Sequence, residues 1–147
     1  MFQISEASFS DSEYLDMFET QLFGNTPVSY KDILLNYDQN NYLIYVAKYN
    51  NQNIGYISGL LVSDDLNILN LGIDERYRNR GFGYQLLNYL LIENKRELKS
   101  TNIFVELRKT NKLAFNLYLR LGFKVYNERK NYYSNPNEDA ILMNLIC

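Results

Sequence analysis

The order of sequence patterns along the chain predicts an α/β (α+β) fold, in which a mixed, mostly antiparallel sheet of about seven strands is flanked by about four helices. Two observations lead to this class. Runs rich in β-branched and aromatic residues form a meander over 42–73, and later strand-like runs alternate with segments of helical periodicity. The length of 147 residues fits a single domain, 1–147, that can bury a core.

The first half of the chain is expected to hold one strand, two helices and the three strands of the meander. The elements are a strand at Phe2–Glu6, a helix that begins with the capping box Ser10–Glu13 and ends at Gly24 and Pro27, a shorter helix capped by Ser29, and strands at Tyr42–Tyr49, Ile54–Val62 and Asn67–Ile73. Polar turns at 50–53 and 64–65 join the three meander strands.

The second half is expected to alternate helices with strands. The elements are a long helix with leucines at 86, 87, 90 and 91, a strand at Asn102–Arg108, a helix capped by Thr110 that continues through Leu121, and strands at Phe123–Asn127 and Ala140–Leu145. Gly122 suits the left-handed conformation that ends many helices. The complete order is β-α-α-β-β-β-α-β-α-β-β.

The composition excludes several kinds of site and partner. With no histidine and a single cysteine, Cys147, the chain lacks the residues of histidine-dependent catalysis and of the usual zinc sites, and it cannot form an intramolecular disulfide. A net charge of −2 gives no basic excess for nucleic acid, and no apolar run approaches the roughly 20 residues of a membrane helix. We therefore expect a cytoplasmic monomer or weak dimer without metal, direct nucleic-acid contact or membrane contact.

A loop with two glycines, residues 73–83, joins the third meander strand to the long helix. Glycine lets the backbone approach a ligand closely, and the N–H groups at the helix N-terminus bind phosphate. Arg76, Arg78 and Arg80 add positive charge. The loop is not a dinucleotide-binding fingerprint, because Leu86 replaces its third glycine, and it is not a P-loop. Taken alone, it indicates either a site for a phosphate-bearing ligand or a surface turn with solvated arginines.

Two residues carry candidate acid–base chemistry. Glu106 lies near the end of the otherwise apolar strand Asn102–Arg108, and ligands of open α/β sheets bind at such strand ends. A carboxylate partly removed from water there could act as a general base, although pairing with Arg108 or with solvent would also explain it. Tyr118 lies on the apolar face of the following helix. It is therefore either a packing aromatic or a proton donor whose hydroxyl reaches a cavity.

These motifs resemble those of the GCN5-related N-acetyltransferase (GNAT) superfamily. Arg78-x-x-Gly81-x-Gly83 is similar to its pyrophosphate-binding motif, the strand before it fits the one whose backbone binds the pantetheine arm, and 111–123 is similar to its second half. The resemblance covers 69–143, about half the chain, and implies acetyl-CoA as co-substrate. It also implies a bulge that splays that strand from its neighbour. The residues implied to bind acetyl-CoA are Leu71, Ile73, Arg78, Asn79, Arg80, Gly81, Phe82, Gly83, Asn111 and Tyr118.

The tail from Tyr132 to Met143 is similar to the Tyr-Tyr…Glu-Asp-Ala-x-x-Met ending of protein N-terminal acetyltransferases. It implies that the acceptor is the N-terminal α-amine of a protein, namely a ribosomal protein beginning with Ala. Tyr132 and Tyr133 are then expected to bind this acceptor from a loop before the last strand. The resemblance further implies direct transfer, with Glu106 as general base and Tyr118 as general acid.

Two other functions remain open at this point. An acetyltransferase of the same fold could act on a small amine, such as a polyamine or an aminoglycoside, and the chain could be a non-catalytic module that only binds acetyl-CoA. The tail favours a peptide over a small amine, and the presence of both Glu106 and Tyr118 favours an enzyme over a binding module. For Tyr133, aromatic packing of the final hairpin is a further alternative.

Overall fold

In a computed structural model that describes residues 1–24 and 28–147, the chain forms one seven-stranded sheet with helices packed on both faces. The strands are β1 (Phe2–Glu6), β2 (Tyr42–Tyr49), β3 (Gln52–Val62), β4 (Asp65–Ile73), β5 (Asn102–Arg108), β6 (Lys124–Tyr133) and β7 (Glu138–Ile146). The α-helices of the described residues are α1 (Ser12–Phe23), α2 (Tyr30–Leu35), α3 (Phe82–Glu93) and α4 (Lys112–Arg120). None of them is long and apolar enough to cross a membrane. The predicted fold class and element order are confirmed.

The sheet has the order β1-β2-β3-β4-β5-β7-β6, and β4 and β5 form its parallel pair. These two strands pair at three positions, from Asp65 opposite Asn102 to Asn67 opposite Phe104, and then separate. The β3–β4 register shifts after Ser58, which leaves Leu69 as an extra residue in β4 at the point of separation. β4 therefore bulges where it parts from β5, as the family resemblance implied.

The core lies on both faces of the sheet because β2 is apolar at adjacent positions. Within 43–47, the odd-numbered residues join a buried cluster with α3 and α4, and the even-numbered ones join a second cluster with α1 and α2. In α3, Leu86, Leu87 and Leu90 are completely buried, and each such burial stabilises the fold by about 1.5–3 kcal/mol. This packing holds the start of α3, and with it the glycine loop, against the sheet.

The start of the first helix differs from the prediction. The backbone N–H of Ser8 donates to Asp11 Oδ2 at 2.9 Å, so the capping box opens a short 3₁₀ turn before α1, and the predicted box at Ser10–Glu13 is wrong. The helix ends before Gly24, which has a φ of +78°, as predicted. Pro27, the second predicted helix breaker, lies outside the described residues.

The cap of α4 also differs. Asn111, and not Thr110, is the N-cap, and its Oδ1 accepts from the Ala114 N–H at 3.2 Å. The Thr110 N–H instead donates to Glu138 at 2.6 Å. After the helix, Gly122 has the predicted positive φ, at +95°.

The final hairpin is longer than predicted. β6 continues to Tyr133, well beyond the predicted end at Asn127, so Tyr132 and Tyr133 lie in the strand and not in a loop before β7. The prediction failed because β6 is an edge strand whose residues before Tyr133 are all exposed. It therefore lacks the alternation of buried and exposed side chains that marks a strand in a sequence.

Candidate active site

The separation of β4 from β5 opens two clefts that share β4 as a wall. The first, which we call the loop cleft, has a volume of about 500 Å³ and lies between residues 71–73 of β4, the glycine loop and α4. The second, the hairpin cleft, has a volume of about 720 Å³ and lies between residues 67–69 of β4, β5 and the final hairpin. The parting of the two strands therefore gives two neighbouring binding spaces along one strand.

The loop cleft gathers most of the residues that the sequence assigned to acetyl-CoA. Those in its lining are Leu71, Ile73, Arg78, Asn79, Gly81, Phe82, Gly83 and Asn111. Arg80 and Tyr118, also assigned to the co-substrate, lie outside this lining among the described residues. The sequence did not indicate Leu22 and Phe23, which reach the cleft from the end of α1. They could not be found by pattern, because their position depends on the packing of α1 against the sheet.

The glycine loop presents backbone N–H groups to the loop cleft. Gly81 has a φ of +82° and begins α3, and the first intrahelical bond runs from the Gln85 N–H to the Gly81 carbonyl at 3.1 Å. The N–H groups of 82–84 precede that bond, so they have no carbonyl partner within the helix and point out of its end. Together with the positive end of the helix dipole, this arrangement can bind an anion.

The three loop arginines differ in what they contact. Arg78 donates from Nε to the Ile73 carbonyl at 3.0 Å, which closes the turn. Arg76 forms an ion pair with Asp74 at 3.1 Å, and this contact lowers the pKa of the Asp74 carboxyl. Asp74 therefore balances the positive charge that Arg76 was expected to add. Arg80 is exposed and lies over the Tyr77 ring, 5.3 Å from its centroid.

Asn111 both caps a helix and lines the loop cleft. Its Oδ1 caps α4, and the residue lies in the lining of the loop cleft. The cap uses only the side-chain oxygen, so within the described residues both N–H bonds of its Nδ2 remain available to a ligand. The same asparagine can therefore fix the start of α4 and contact a molecule in the cleft.

The hairpin cleft brings Glu106 together with Tyr132 and Tyr133. The two tyrosine rings lie edge to face with centroids 5.1 Å apart. Interaction with the Glu106 carboxylate raises the pKa of Tyr132. Burial, followed by the charge of Glu106, raises the pKa of Tyr133 to about 12. Tyr126, which the sequence reasoning missed, lies in the same lining, where burial and then Glu106 raise its pKa.

Glu106 itself is exposed. The expectation that this carboxylate is partly removed from water is therefore wrong for the protein without ligands. The alternative pairing with Arg108 is also wrong, because Arg108 forms its ion pair with Glu138 at 3.3 Å. Glu106 is thus a carboxylate among tyrosines in an open cleft.

Tyr118 lies in the core between β5 and α4 and is only 2% exposed. Its ring packs edge to face on Phe123 with centroids 5.0 Å apart, and burial raises the pKa of its hydroxyl. It does not line either cleft. Among the described residues, its hydroxyl makes no hydrogen bond. Packing is therefore the role of Tyr118 that the structure shows.

The seven-stranded sheet, the splayed parallel pair and the two clefts define an N-acetyltransferase of the GNAT type. The chain belongs to the acetyltransferase (GNAT) family, whose model matches residues 8–123. The family resemblance found in the motifs is thereby confirmed, and the protein is an acyltransferase by class.

The chain is 36% identical over 97 residues to the ribosomal protein bS18-alanine N-acetyltransferase of Haemophilus influenzae, a match that covers 64% of this chain and less than two thirds, 65%, of that protein. The protein of the same name from Escherichia coli (strain K12) is 32% identical over 71% of each chain. The crystal structure of the Escherichia coli ribosomal-protein-S18-alanine N-acetyltransferase superposes with a TM-score of 0.84 at 30% identity, covering 99% of this chain and 94% of that one. Arabidopsis thaliana NAA60 in complex with acetyl-CoA has a TM-score of 0.87 with 99% and 98% coverage. At 17% identity it shows likeness of fold alone.

Proposed function

We propose that this protein transfers the acetyl group of acetyl-CoA to the N-terminal α-amine of a protein, and specifically of a ribosomal protein that begins with Ala. The observation that carries the proposal is the hairpin cleft, where Glu106 lies with Tyr132 and Tyr133 beside the splayed strands. Two relatives, at 36% and 32% identity, are named for an alanine of a ribosomal protein. An acceptor of this kind would require the protein to act in the cytoplasm.

The loop cleft suits the acetyl-CoA molecule that the reaction consumes. The pyrophosphate would accept hydrogen bonds from the N–H groups at the start of α3, with Arg78 and Arg80 balancing its charge. The backbone of β4 at Leu71 and Ile73, where β5 has moved away, would pair with the pantetheine arm. A backbone N–H there would also polarise the thioester carbonyl and stabilise the negative charge that develops on its oxygen.

The hairpin cleft suits the acceptor amine. An α-amine has a reference pKa of about 7.7–8.0, so a useful fraction is neutral at pH 7 and the base has modest work to do. As the nitrogen attacks the thioester carbon, the N–C bond forms and the C–S bond breaks. Glu106 would accept the proton of the nitrogen, through a water molecule, and the hydroxyls of Tyr132 and Tyr133 would hydrogen-bond the peptide N-terminus.

The leaving thiolate needs a proton, and we assign this to Tyr118. Its burial keeps the hydroxyl protonated at every physiological pH, which a general acid requires. Because the hydroxyl makes no hydrogen bond among the described residues, its proton would be available to the thiolate. The amine would thus lose its proton to Glu106, and the CoA thiolate would gain its proton from Tyr118.

The proposal is tested by acetyl transfer to a set of peptides that differ only in the first residue, followed by mass spectrometry. Direct detection is preferable to a thiol reagent, because the exposed Cys147 of the enzyme would also react. An Ala-starting ribosomal peptide should be acetylated on its α-amine. The same peptide with a blocked N-terminus and an internal Lys should not react.

Three outcomes would contradict the proposal. Acetylation of the blocked peptide would assign the activity to Lys side chains. Acetylation of a polyamine or aminoglycoside in preference to every peptide would assign it to small amines. Binding of acetyl-CoA without CoA release for any amine tested would indicate a non-catalytic module.

A further inference from the structure

The end of the final hairpin, which carries Tyr132 and Tyr133, is weakly held by the sheet itself. Regular β6–β7 pairing stops with Arg129 opposite Ala140 and resumes only with Tyr133 opposite Glu138. Residues 130–132 therefore face a single residue of β7, and Asn131 has a positive φ of 50° within this irregular stretch. A bulge of this size interrupts the backbone ladder, so side chains must hold the segment in place.

Arg108, at the end of β5, contacts the residues that follow this stretch, whereas Asp139 holds the stretch itself. Its two terminal nitrogens donate to the carbonyls of Pro136 at 3.1 Å and Ser134 at 3.2 Å, which lie in the turn of the hairpin. The guanidinium also lies over the ring of Tyr133, with its central carbon 4.5 Å from the ring centroid. One guanidinium thus contacts both the turn and one of the two tyrosines of the hairpin cleft.

The fourth contact of Arg108 connects the hairpin with α4. Arg108 forms an ion pair with Glu138 Oε1 at 3.3 Å, and Glu138 Oε2 accepts from the Thr110 N–H at 2.6 Å. Hydrogen bonding from Thr110, and then from Arg108, lowers the pKa of Glu138, so the carboxylate stays charged. Thr110 directly precedes Asn111, the cap of α4 and part of the loop cleft. Arg108 and Glu138 therefore join the acceptor side of the site to the start of α4.

We propose that Arg108 is a positioning residue for the acceptor: it fixes the hairpin and the Tyr133 ring against β5, and so sets the distance between Tyr133 and Glu106. Glu106 and Arg108 are two residues apart on β5 and point to the same face of the strand. The proposed base, Glu106, therefore shares one rigid element with the clamp, by which we mean Arg108 and its contacts to the hairpin. This inference rests on the proposed function, because it takes the hairpin cleft as the acceptor site.

Arginine suits this position for a geometric reason. A planar guanidinium with five fixed N–H donors can contact two carbonyls and a carboxylate while its flat face covers an aromatic ring. A lysine keeps the charge but offers one tetrahedral nitrogen, which cannot make all of these contacts together. The Arg108→Lys variant therefore keeps the positive charge and removes the combined contacts of the clamp.

The test compares steady-state kinetics of the wild type, Arg108→Lys and Arg108→Met with an Ala-starting peptide and acetyl-CoA varied separately. Both variants should raise the KM for the peptide about tenfold, as expected for the loss of charge-assisted contacts that order the cleft. The KM for acetyl-CoA should stay close to that of the wild type, and the melting temperature should fall only slightly, because Glu138 loses a partly exposed ion pair but keeps its bond from the Thr110 N–H. Lys109→Ala is the matched control, because Lys109 also joins the end of β5 to the hairpin, through a 2.7 Å ion pair with Glu128, but does not contact Tyr133.

The kinetic pattern decides between positioning and mere structural support. If Arg108 only stabilised the fold, the variants would lower the amount of active protein, so kcat would fall while both KM values stayed unchanged. That result, or an equal rise in peptide KM for Lys109→Ala, would overturn the inference. A double variant that combines an Arg108 substitution with Tyr133→Leu should raise the peptide KM by less than the product of the two single effects, since the clamp acts through the Tyr133 ring. If the two single effects on the peptide KM simply multiplied in the double variant, that result would also count against the inference.

The same experiment separates failure of this inference from failure of the proposed function. If the wild type uses spermidine and no peptide, the proposed function is wrong, and the comparison is repeated with spermidine as the varied acceptor. A raised acceptor KM in Arg108→Lys would then still support the clamp. An acceptor KM equal to that of the wild type would overturn it.

Discussion

Replacing Gly83 by alanine should strengthen the fold and weaken the binding of acetyl-CoA. A Cβ at this position would lie 3.7 Å from Leu117 Cδ2 and 3.9 Å from Ile73 Cγ1, which are ordinary contact distances. The protein itself therefore has room for the methyl group. Because Gly83 lies in α3, alanine should add roughly 0.5–1 kcal/mol of stability, which corresponds to about 2 °C in a chain of this size.

The same methyl group would stand in the loop cleft, since Gly83, Ile73 and Leu117 all line it. It would push a bound pyrophosphate away from the N–H groups of α3. Loss of one such charge-assisted hydrogen bond costs about 1.5–3 kcal/mol, which is a loss of roughly tenfold to a hundredfold in affinity. Calorimetric titration with acetyl-CoA measures the affinity, and a thermal scan without ligand measures the stability.

Gly81→Ala is the matched control, because it alters the same loop but should lower the stability of the fold, whereas Gly83→Ala should raise it. A Cβ there meets no atom within 4 Å, but the φ of +82° strains any residue other than glycine by about 1–2 kcal/mol. This variant should melt at a lower temperature than the wild type. If Gly83→Ala bound acetyl-CoA as tightly as the wild type, the assignment of the pyrophosphate to this helix end would be refuted.

Four further variants test other parts of the structure. Glu106→Gln and Tyr118→Phe should each lower kcat by about 10²–10⁴-fold and leave the dissociation constant of acetyl-CoA nearly unchanged, as single-turnover and titration measurements can check. Glu138→Gln should flatten the loss of stability in acid, measured by thermal scans from pH 6 to pH 3. Glu19→Ala should lower the free energy of unfolding, measured with urea, by about 3 kcal/mol, because it removes the carboxylate to which buried hydroxyls donate.

The physical basis of the last two predictions lies in the hydrogen bonds. The pKa of Glu138 is lowered below its ordinary 4.5 in the folded protein, so the unfolded chain binds more protons. The stabilisation from this carboxylate is therefore present above about pH 4.5 and is lost as the pH falls through the folded pKa. Glu19 Oε1 accepts from Tyr30 at 2.5 Å, Tyr56 at 2.9 Å and Asn70 at 2.6 Å. A urea unfolding curve unchanged by Glu19→Ala, or an acid profile of Glu138→Gln identical to the wild type, would show that these contacts contribute little.

The parts of the fold that sequence predicted well are those where burial leaves a pattern. The bounds of β2 were predicted to the residue because 43–47 is buried without interruption. Gly81 and Gly83 were found because a loop that turns sharply into a helix favours glycine, and Gly81 has a positive φ of 82°. The glycine spacing, Glu106 and the paired tyrosines therefore pointed to the correct family.

The parts that failed depend on contacts between distant segments. Thr110 and Asn111 are both good caps by residue type, and the choice of Asn111 follows from Glu138, 28 residues away, which binds the Thr110 N–H. Tyr126 was missed because the exposed edge strand β6 has no alternation of burial. The exposure of Glu106 could not be predicted, because it depends on how far β4 moves away from β5.

The short pairing of β4 with β5 also has a mechanical consequence. The sheet amounts to two antiparallel plates, β1–β4 and β5–β7–β6, which its backbone ladder joins at only three residue pairs, 65–67 with 102–104. The glycine loop follows directly from the end of the first plate, and Glu106, Arg108 and the tyrosines belong to the second. If the two substrates bind as proposed, the thioester and the amine lie on different plates, and these three residue pairs set the spacing between them.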